Sequence, residues 1–347
     1  MAIPDSVNKI DRNWAATALV LVALAAPTTA ARADDFYKGK TINLYVGSGP
    51  GGGYDQFGRL VARHLGNFVA GQPVVVPHNM PGAGSLSAAN FVYNNAVRDG
   101  TVLEIGTPAI ALVEALRYPA VRFESAKFNW IGRVASLTNI TFTGKTSKVK
   151  TIEEATKTES LIASIADSSP LALYPRVMNN TIGTKFKVIT GYANSNDTLL
   201  AVERGEVDGS TVSWATLNAM HPNWLGDKSI NILVQYALKR HPQLPDVPTE
   251  VELGRTSEER QLLSLFATSA EVGYSIAATP DTPAERIQML RRGFDAMVKS
   301  SEFLDDIAAM GGEFDPMPGD KLQDYIRDSL NISLRLRDQA IAVAAEK

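Results

Sequence analysis

The feature that most constrains the fold of this chain is a repeated order of strand pattern, turn and helix pattern. From Thr41 onward, short apolar runs typical of β-strands alternate with segments whose apolar residues recur at helical spacing. Repeated strand–loop–helix units of this length predict a parallel sheet with helices on its faces. The strand patterns of the first series are TINLYV, PVVVPHN and TVLEIGT, at 41–46, 73–79 and 101–107.

A second series of the same kind follows an extended segment at 128–136. Its strand patterns lie at 161–166, 186–192, 206–213 and 230–237. The last third of the chain is mainly helical in pattern. We therefore expect an α/β protein with two lobes, joined by two crossover strands that form a hinge, and a ligand in the cleft. The expected boundaries are 34–136 for the first part of domain 1, 137–239 for domain 2 and 240–347 for the C-terminal part of domain 1.

Residues 1–33 have the pattern of a secretory signal peptide. Lys9 and Arg12 precede the apolar run WAATALVLVALAAP, and Ala31 and Ala33 form an A-x-A cleavage pattern. The run is too short for a membrane span. A buried N-terminal helix is the alternative, but no helix cap precedes the charged sequence that follows. We expect export to the periplasm.

Composition argues against several kinds of site. The chain has 34 basic and 37 acidic residues and a net charge of −3, which disfavours a general nucleic-acid-binding surface. Cysteine is absent, which excludes disulfides, thiolate metal sites, cysteine nucleophiles and a lipoprotein anchor. None of the 4 histidines forms an H-x-x-x-H pair, so we expect no metal site, and we expect no cofactor.

Two glycine turns give the strongest indication of function. GSGPGG at 47–52, the first glycine turn, and PGAGS at 81–85, the second glycine turn, each follow a strand pattern and precede a helix pattern. They therefore meet at one edge of a parallel sheet. Free backbone N–H groups at helix N-termini bind anions, helped by the helix dipole. Two such ends side by side suit a small carboxylate. The alternative is that the glycines only make tight turns.

The first glycine turn also matches the dinucleotide-binding pattern G-x-G-x-x-G. Its context differs, because the next strand ends in His78 and Asn79 where a ribose-binding carboxylate would stand. Pro50 and the glycines after it also make a wider loop. A phosphate-binding loop would need Lys and then Ser or Thr, whereas Tyr54 and Asp55 follow here. A nucleotide cofactor is therefore disfavoured.

The second domain repeats this arrangement with hydroxyl side chains. ASIADSSPLALYP predicts a strand, a serine turn and a helix that starts at Pro170 with Ser169 as its N-cap. TGYANSNDTLL predicts a strand, an Asn/Ser turn and a helix start. Simple capping explains Ser169 and Asn196. The alternative is that these helix ends face the glycine turns and hold the far end of the ligand.

Taken in order, these segments resemble the periplasmic receptors of tripartite tricarboxylate transporters, also called the Bug family. GPGGGYDQFGRLVARHL is similar to the family's P-P-G-G-x-x-D-x-x-A-R segment, and VVVPHNMPGAGSLSAANFV to its V-V-x-N-R-P-G-A-G segment. VRDGTVLEIGT parallels P-D-G-Y-T-L-L, and LPDVPTEVELG parallels L-P-x-V-P-T-x-x-E. The resemblance spans nearly the whole chain after residue 33. Departures include Gly58 for Ala, Met80 for Arg and Arg98 for Pro.

The resemblance implies a type II periplasmic-binding-protein fold, capture of a small organic mono-, di- or tricarboxylate, and delivery to a membrane permease of two subunits. We expect a monomer without catalytic activity and without a nucleic-acid partner. In the family, loops of the first domain hold one ligand carboxylate, partly through ordered water. That role carries over to Ser48, Gly52, Tyr54, Asp55, Ala83, Gly84 and Ser85.

The second-domain part of the family pattern is altered in this chain. The Y-x-G loop keeps Tyr192 but has Asn194 for Gly, and the Ser-x-G-x-G-S turn is SIADSS, with both glycines replaced. These changes fall where the distal part of the ligand is sensed, so citrate-type specificity does not follow from the resemblance. The remaining candidate ligand-binding residues are Thr107, Ser164, Ser168, Ser169, Tyr192, Asn194 and Asp208.

Asp55 is open to two interpretations. Its carboxylate would repel an anionic ligand, or it would accept hydrogen bonds from helix N–H groups and fix the loop. We favour capping.

Two other functions fit parts of the sequence. A ligand sensor for a signalling partner would have the same site residues as a transport receptor. A secreted serine hydrolase is suggested by SKVK at 147–150, which has the S-x-x-K spacing of serine acylases. No S-D-N or K-T-G element follows it, which disfavours the hydrolase.

Overall fold

The computed structural model describes Met1 and residues 36–165, 169–310 and 314–345. Apart from Met1, the predicted signal peptide at 1–33 lies outside the described residues, and so does the candidate residue Ser168.

Strands and helices alternate along most of the described chain, as the sequence predicts. The strands are β1 Thr41–Val46, β2 Val74–Asn79, β3 Val102–Ile105, β4 Asn129–Arg133, β5 Asn139–Gly144, β6 Ser160–Ala163, β7 Phe186–Ile189, β8 Gly209–Ser213, β9 Ile230–Tyr236, β10 Ser275–Ala278 and β11 Met317–Pro318. The α-helices are α1 Gly53–Phe68, α2 Leu86–Asn94, α3 Ile110–Ala115, α4 Ile152–Ala155, α5 Pro170–Thr181, α6 Ser195–Glu203, α7 Trp214–Met220, α8 Ser257–Val272, α9 Ala284–Met297, α10 Ser301–Ala309, α11 Gly319–Ser329 and α12 Leu334–Ala344.

These strands form two separate sheets. The first sheet has six strands in the order β11-β4-β10-β3-β1-β2, and the second has five in the order β7-β6-β8-β5-β9. β1 is parallel to β2 and β3, and β6 is parallel to β7 and β8. β10 is antiparallel to β3 and β4, and β5 is antiparallel to β8 and β9. The predicted α/β class is confirmed, whereas the antiparallel strands β5 and β10 were not predicted.

Helix α1 shows how apolar spacing positions the site. Phe57, Leu60, Val61 and Leu65 are buried on one face of the helix. They belong to a core cluster that also contains side chains of β1, β3 and α9. The helix is therefore held against the first sheet, and its N-terminus is held at the carboxyl end of β1.

The chain crosses between the two sheets twice. β4 ends at Arg133 and β5 begins at Asn139, so the segment 134–138 makes the first crossing. The chain returns from Tyr236, at the end of β9, through 237–256 to α8.

The C-terminal third packs mainly on the first sheet. α9 contacts α1 and β4, and α11 contacts β4 and α8. Its last helix, α12, packs against α5 beside the second sheet and also contacts α8. Asn180 Nδ2 of α5 donates a hydrogen bond to the Val343 carbonyl at 2.8 Å. The amphipathic pattern of α12 predicts a buried face but not the partner of that face.

Within the described ranges, none of the helices has both the length and the apolar character needed to cross a bilayer.

A candidate ligand-binding site at two facing sheet edges

The topology turns one edge of each sheet toward the first crossing. In the first sheet this edge holds the carboxyl ends of β1, β2, β3 and β4. The strand β10 runs antiparallel to both β3 and β4, so β3 and β4 point the same way. The first residue of β10, Ser275, pairs with Arg133 at the carboxyl end of β4. In the second sheet Asn139, the first residue of β5, pairs with Ser213 at the carboxyl end of β8. The segment 134–138 can span at most about 20 Å. The loops at the two edges therefore border the same space.

Asp55 fixes the first glycine turn. Its Oδ2 accepts the Gly51 N–H at 2.8 Å and the Arg59 Nε–H at 2.9 Å, and its Oδ1 accepts an Asn79 Nδ2–H at 2.8 Å. Asn79 Nδ2 also donates to the Ser48 carbonyl at 2.9 Å. Asp55 thus ties the first glycine turn, through Asn79, to the end of β2.

The favoured interpretation of Asp55 as a helix cap needs a correction. The N-cap of α1 is Gly52, which has no side chain, and Asp55 reaches back to the Gly51 N–H in front of the helix. Burial raises the pKa of Asp55, but hydrogen bonds from Arg59, Gly51 and Asn79 outweigh it and hold the pKa below its ordinary value. The carboxylate is therefore ionised and already satisfied by these donors.

The start of α1 presents backbone amides to the site edge. The first bond of the helix runs from the Gln56 N–H to the Gly52 carbonyl at 3.0 Å. The amides of Gly53, Tyr54 and Asp55 consequently have no acceptor within the helix. Such amides are the donors that the sequence analysis assigned to a ligand carboxylate.

The second glycine turn has left-handed backbone over four consecutive residues. Their φ angles are 135° at Gly82, 48° at Ala83, 64° at Gly84 and 77° at Ser85. This conformation costs Ala and Ser about 1–2 kcal/mol each, so the surrounding structure must hold it. One contact that does so is with Gly47, where an added Cβ would lie 2.5 Å from Ser85 Cβ. Strained backbone of this kind is frequent at ligand sites.

Strand β3 carries Glu104 near its carboxyl end, a side chain that the sequence pattern does not single out. Glu104 is 3 % exposed, and its Oε1 has no hydrogen-bond partner among the described residues. The carboxyl extends toward the site edge. Its Oε1 lies beside Gly106, where an added Cβ would overlap it, and the same Cβ would lie 3.5 Å from Ser85 Cβ in the second glycine turn. Burial raises the pKa of Glu104 to about 8. The candidate Thr107 is also buried, and its Oγ1 accepts the Ala109 N–H at 3.2 Å within this loop.

Tyr54 lies between the two lobes. Its ring centroid is 4.9 Å from that of Tyr274, and its hydroxyl donates to the Gly273 carbonyl at 3.4 Å. Burial raises the pKa of the Tyr54 hydroxyl well above its ordinary value, with smaller contributions from Tyr274, Tyr174 and Glu104. Tyr174 belongs to α5, beside the second sheet. Tyr54 is therefore close to side chains of both lobes.

Four candidate residues lie at the carboxyl ends of the parallel strands of the second sheet. Ser164 follows β6, is 1 % exposed, and has a hydroxyl without a hydrogen-bond partner among the described residues. The Ser169 hydroxyl caps α5 by accepting a backbone N–H at 3.2 Å, and the Asn194 side chain caps α6 in the same way at 3.0 Å. Tyr192 is half-buried against the core of this lobe. A ligand could hydrogen-bond the Ser164 hydroxyl without replacing a helix-capping hydrogen bond, whereas Ser169 and Asn194 already cap helices.

Two assignments in the second lobe are wrong. Asn194, and not Asn196, is the cap of α6, because that helix begins at Ser195. Asp208 lies at the amino end of β8, away from the site edge, and its Oδ2 accepts the Leu161 N–H at 2.8 Å. Asp208 therefore joins β6 to β8 and is not part of the candidate site.

The serine–lysine pattern at 147–150 forms a turn. Ser147 is buried and its Oγ accepts the Val149 N–H at 3.1 Å, whereas Lys150 is exposed. The serine hydroxyl is thus used by the backbone, which gives no support to a hydrolase.

Neither a metal-binding cluster nor a surface cavity described for this structure marks the candidate site. In the described part of the chain, no cluster of acidic and histidine side chains could hold a metal ion. Two surface cavities, of about 390 and 330 Å³, are lined mainly by side chains of α8, α11 and α12. None of the candidate residues lines either cavity.

A family profile described as "TctC: Tripartite tricarboxylate transporter family receptor" matches residues 58–339. The chain belongs to this family. A relative from Pseudomonas sp. (strain P51), the UPF0065 protein in the tcbD-tcbE intergenic region, is 27% identical over 244 residues, which cover 67% of this chain and 69% of the relative. A relative from Cupriavidus necator, the UPF0065 protein in the gbd 5'region, is 24% identical over 308 residues, 86% of each chain.

Solved structures of similar proteins confirm the fold of this TctC family member. The periplasmic binding protein BugD superposes with a TM-score of 0.67 at 17% identity, over 89% of this chain and 99% of BugD. An R. palustris protein solved with adipate has a TM-score of 0.65 at 20% identity, over 88% and 97%. MatC from Rhodopseudomonas palustris, with bound malate, has a TM-score of 0.62 at 18% identity, over 88% and 99%. The predicted two-lobed periplasmic-binding-protein fold is therefore confirmed.

Proposed function

We propose that this protein is a periplasmic solute receptor that captures a small organic carboxylate between the two sheet edges and delivers it to a membrane permease of two subunits. Membership of the transporter receptor family supports the receptor role. The adipate and malate bound by two similar proteins support a carboxylate ligand.

One observation carries the proposal. The unbonded amides at the start of α1 and the strained second glycine turn lie side by side at the same edge, where Ser85 packs against Gly47. Arg59, the cation closest to this loop in sequence, is bonded to Asp55 and Asn79. Backbone amides would therefore provide most of the positive potential for an anion.

The expected affinity follows from these groups. A hydrogen bond to a charged group contributes about 1.5–3 kcal/mol, and a helix end up to about 2 kcal/mol. Three or four such contacts, reduced by the entropy of ordering the ligand and loops, correspond to a dissociation constant of roughly 1 μM.

The location and the partners belong to the same proposal. The signal-peptide pattern at 1–33 supports export, and the family description supports a permease partner. We propose a monomeric receptor that binds and releases its ligand without chemical change. A sensor that passes the ligand signal to another protein would use the same site.

Isothermal titration calorimetry on the chain without residues 1–33 tests the proposed function. The panel contains malate, adipate, succinate, citrate and benzoate, and the matched control is adipamide, which has the length of adipate without its charges. We expect saturable binding of one carboxylate per chain and no binding of adipamide. A panel that gives no binding at all, or equal binding of adipate and adipamide, would overturn the proposal.

A further inference from the structure

Glu104 is a buried polar side chain that the proposed function leaves without a role. It is 3 % exposed and its Oε1 has no partner among the described residues. It lies on β3, the strand whose carboxyl end meets both glycine turns. A buried acid without a partner is unfavourable for folding, so its presence at this edge needs an explanation.

The carboxyl group of Glu104 is directed at the proposed ligand space. Its Oε1 occupies the position that a side chain at Gly106 would need, next to Ser85 Cβ. Ser85 in turn packs against Gly47 of the first glycine turn. The carboxyl therefore lies close to the two turns whose amides we assign to a ligand carboxylate.

The elements around Glu104 supply no cation. Its neighbours in strand register are Tyr45 on β1 and Ala277 on β10. From β2, His78 faces the ring of Tyr45, and from α1, Tyr54 is near enough to interact electrostatically. The His78 Nε2 lies 2.9 Å from Asn43 Oδ1, and Tyr54 is a neutral group whose pKa burial raises, so neither residue forms an ion pair with Glu104.

The two helices on the same face of the sheet do not change this. Tyr93 of α2 hydrogen-bonds Glu124, and Glu114 of α3 accepts the Ser125 N–H at 2.7 Å. On the far side of Tyr54, Tyr174 of α5 is also a neutral group. Glu104 is thus surrounded by apolar groups, backbone and neutral hydroxyls.

We propose that Glu104 stays protonated in the ligand-free protein and donates a hydrogen bond from its carboxyl group to the carboxylate of the bound ligand. This inference rests on the proposed function and narrows it, because the ligand then binds as an anion beside a neutral acid. No proton leaves Glu104 in the complex. An ionised Glu104 would repel the ligand carboxylate, so the site accepts the ligand when Glu104 carries its proton.

The inference makes ligand affinity depend on pH in one direction. Burial raises the pKa of Glu104 to about 8, and apparent affinity scales with the fraction of protein in the competent, protonated form. Affinity is then nearly constant below pH 7 and about tenfold weaker at pH 9 than at pH 6.5. Burial raises the pKa values of Tyr54 and Tyr174 above 10, so these two hydroxyls stay neutral over this range.

Calorimetric titrations with malate, adipate and the other panel carboxylates at pH 6.5, 7.5, 8.5 and 9 test this inference. For wild type we expect the tenfold fall in affinity for every panel member that binds. Glu104→Gln keeps a neutral donor, so it should bind with an affinity that no longer changes with pH. Glu104→Leu removes the donor and should bind at least tenfold more weakly at pH 6.5.

Glu250 provides the matched control. It is the other fully buried glutamate whose oxygens have no partner among the described residues, and burial raises its pKa as well. Glu250→Gln should keep the wild-type pH profile. Thermal melts of each variant confirm that it is folded.

Titration at pH 8.5 in two buffers of different ionisation enthalpy adds a second readout. Wild type should take up protons on binding and Glu104→Gln should take up none. The inference is overturned if the affinity of wild type stays constant or rises with pH. It is also overturned if Glu104→Gln keeps the pH profile of wild type, or if Glu250→Gln loses that profile. Those outcomes leave the receptor function intact, whereas absence of any carboxylate binding at pH 6.5 overturns both proposals.

Discussion

At the scale of single residues, two buried carboxyl groups near the site differ because their donors differ. Asp55 accepts bonds from Gly51, Arg59 and Asn79, which hold its pKa below the ordinary value. Glu104 has no such donors, and burial raises its pKa to about 8. The environment of each group, and not its chemical type, decides its charge.

Sequence analysis could find Asp55 but not Glu104. Asp55 follows a glycine turn, where a polar residue suggests a site. Glu104 stands inside TVLEIGT, a strand pattern without a turn residue beside it. The available signal was the charge itself, because central parallel strands are buried on both faces and rarely carry an unpaired acid.

Asp55→Ala should lower both stability and affinity. It leaves the Gly51 N–H and one of the two Asn79 Nδ2–H groups without an acceptor, which we expect to lower the free energy of unfolding by about 1–3 kcal/mol. The first glycine turn then loses its fixed geometry, and carboxylate affinity should fall at least tenfold. Urea denaturation and calorimetry measure the two effects.

Asp208→Ala is the matched control for Asp55→Ala. Asp208 also accepts a backbone N–H, that of Leu161, but lies at the far end of β8. Asp208→Ala should lower the free energy of unfolding by a similar amount and bind the carboxylate with the affinity of wild type. Equal affinity of the Asp55 and Asp208 variants would remove Asp55 from the site.

Glu104 should also make folding stability depend on pH. Its pKa is raised in the folded state, so between about pH 5 and pH 8 the folded protein binds the proton that the unfolded chain releases. Stability therefore falls as pH rises, by about 1.4 kcal/mol per unit and on the order of 5 kcal/mol in all from this one group. Glu104→Gln should make this slope shallower in chemical denaturation at pH 5, 6.5 and 8, and the slope that remains includes the contribution of Glu250, whose pKa burial also raises. A slope unchanged from wild type would contradict the assignment.

At the scale of secondary structure, the sequence predicted the parallel strands better than the antiparallel ones. β1, β2, β3, β6, β7 and β8 belong to strand–turn–helix units, and their turns are marked by glycine, serine or asparagine. β5 and β10 run antiparallel to strands that are distant in sequence. The close packing of the second glycine turn on Gly47 could not be predicted from the sequence either, because it depends on the order of the strands in the sheet.

The contact between the two glycine turns can be tested at Gly47. Gly47→Ala would push its Cβ into Ser85 Cβ at 2.5 Å, so the second glycine turn must shift. We expect at least tenfold weaker carboxylate binding. Gly49→Ala is the matched control, because a Cβ at Gly49 would meet nothing within 4 Å. Gly84→Val is a less selective test, because the φ of 64° at Gly84 strains any side chain whether or not a ligand is near.

In the second lobe, substitutions at Ser164 and Ser169 distinguish a side chain that contacts the ligand from one that only caps a helix. Ser169→Ala removes the cap of α5 and should cost about 1 kcal/mol of stability. Ser164→Ala removes a buried hydroxyl that has no partner among the described residues, so stability should be unchanged or slightly higher. If Ser164 meets the distal end of the ligand, affinity falls in Ser164→Ala more than in Ser169→Ala. The reverse order would place the contact at Ser169.

At the scale of the whole molecule, the first crossing is anchored firmly to the first lobe. Arg133 is 2 % exposed, and its Nη1 donates to the Glu271 carbonyl at 2.5 Å and to Glu271 Oε2 at 3.0 Å. Its Nε donates to the Asp315 carbonyl at 3.1 Å. The backbone of Val134 is bonded to Tyr274 at 2.9 Å. Any rotation of the lobes must therefore be absorbed after this point in the crossing.

A ligand that contacts both edges should draw the lobes together. It would bind the closed arrangement better than an open one, and the difference in affinity shifts the population toward closure. At a ligand concentration of about 100 times Kd, binding adds about 2.7 kcal/mol to the free energy of unfolding, which corresponds to a rise in Tm of roughly 5 °C. Small-angle X-ray scattering should show a smaller radius of gyration in the same samples. Gly47→Ala at the same ligand concentration should show neither change. A Tm that rises while the radius of gyration stays constant would mean that the ligand binds one lobe alone or a site already closed, and the hinge would then have no part in capture.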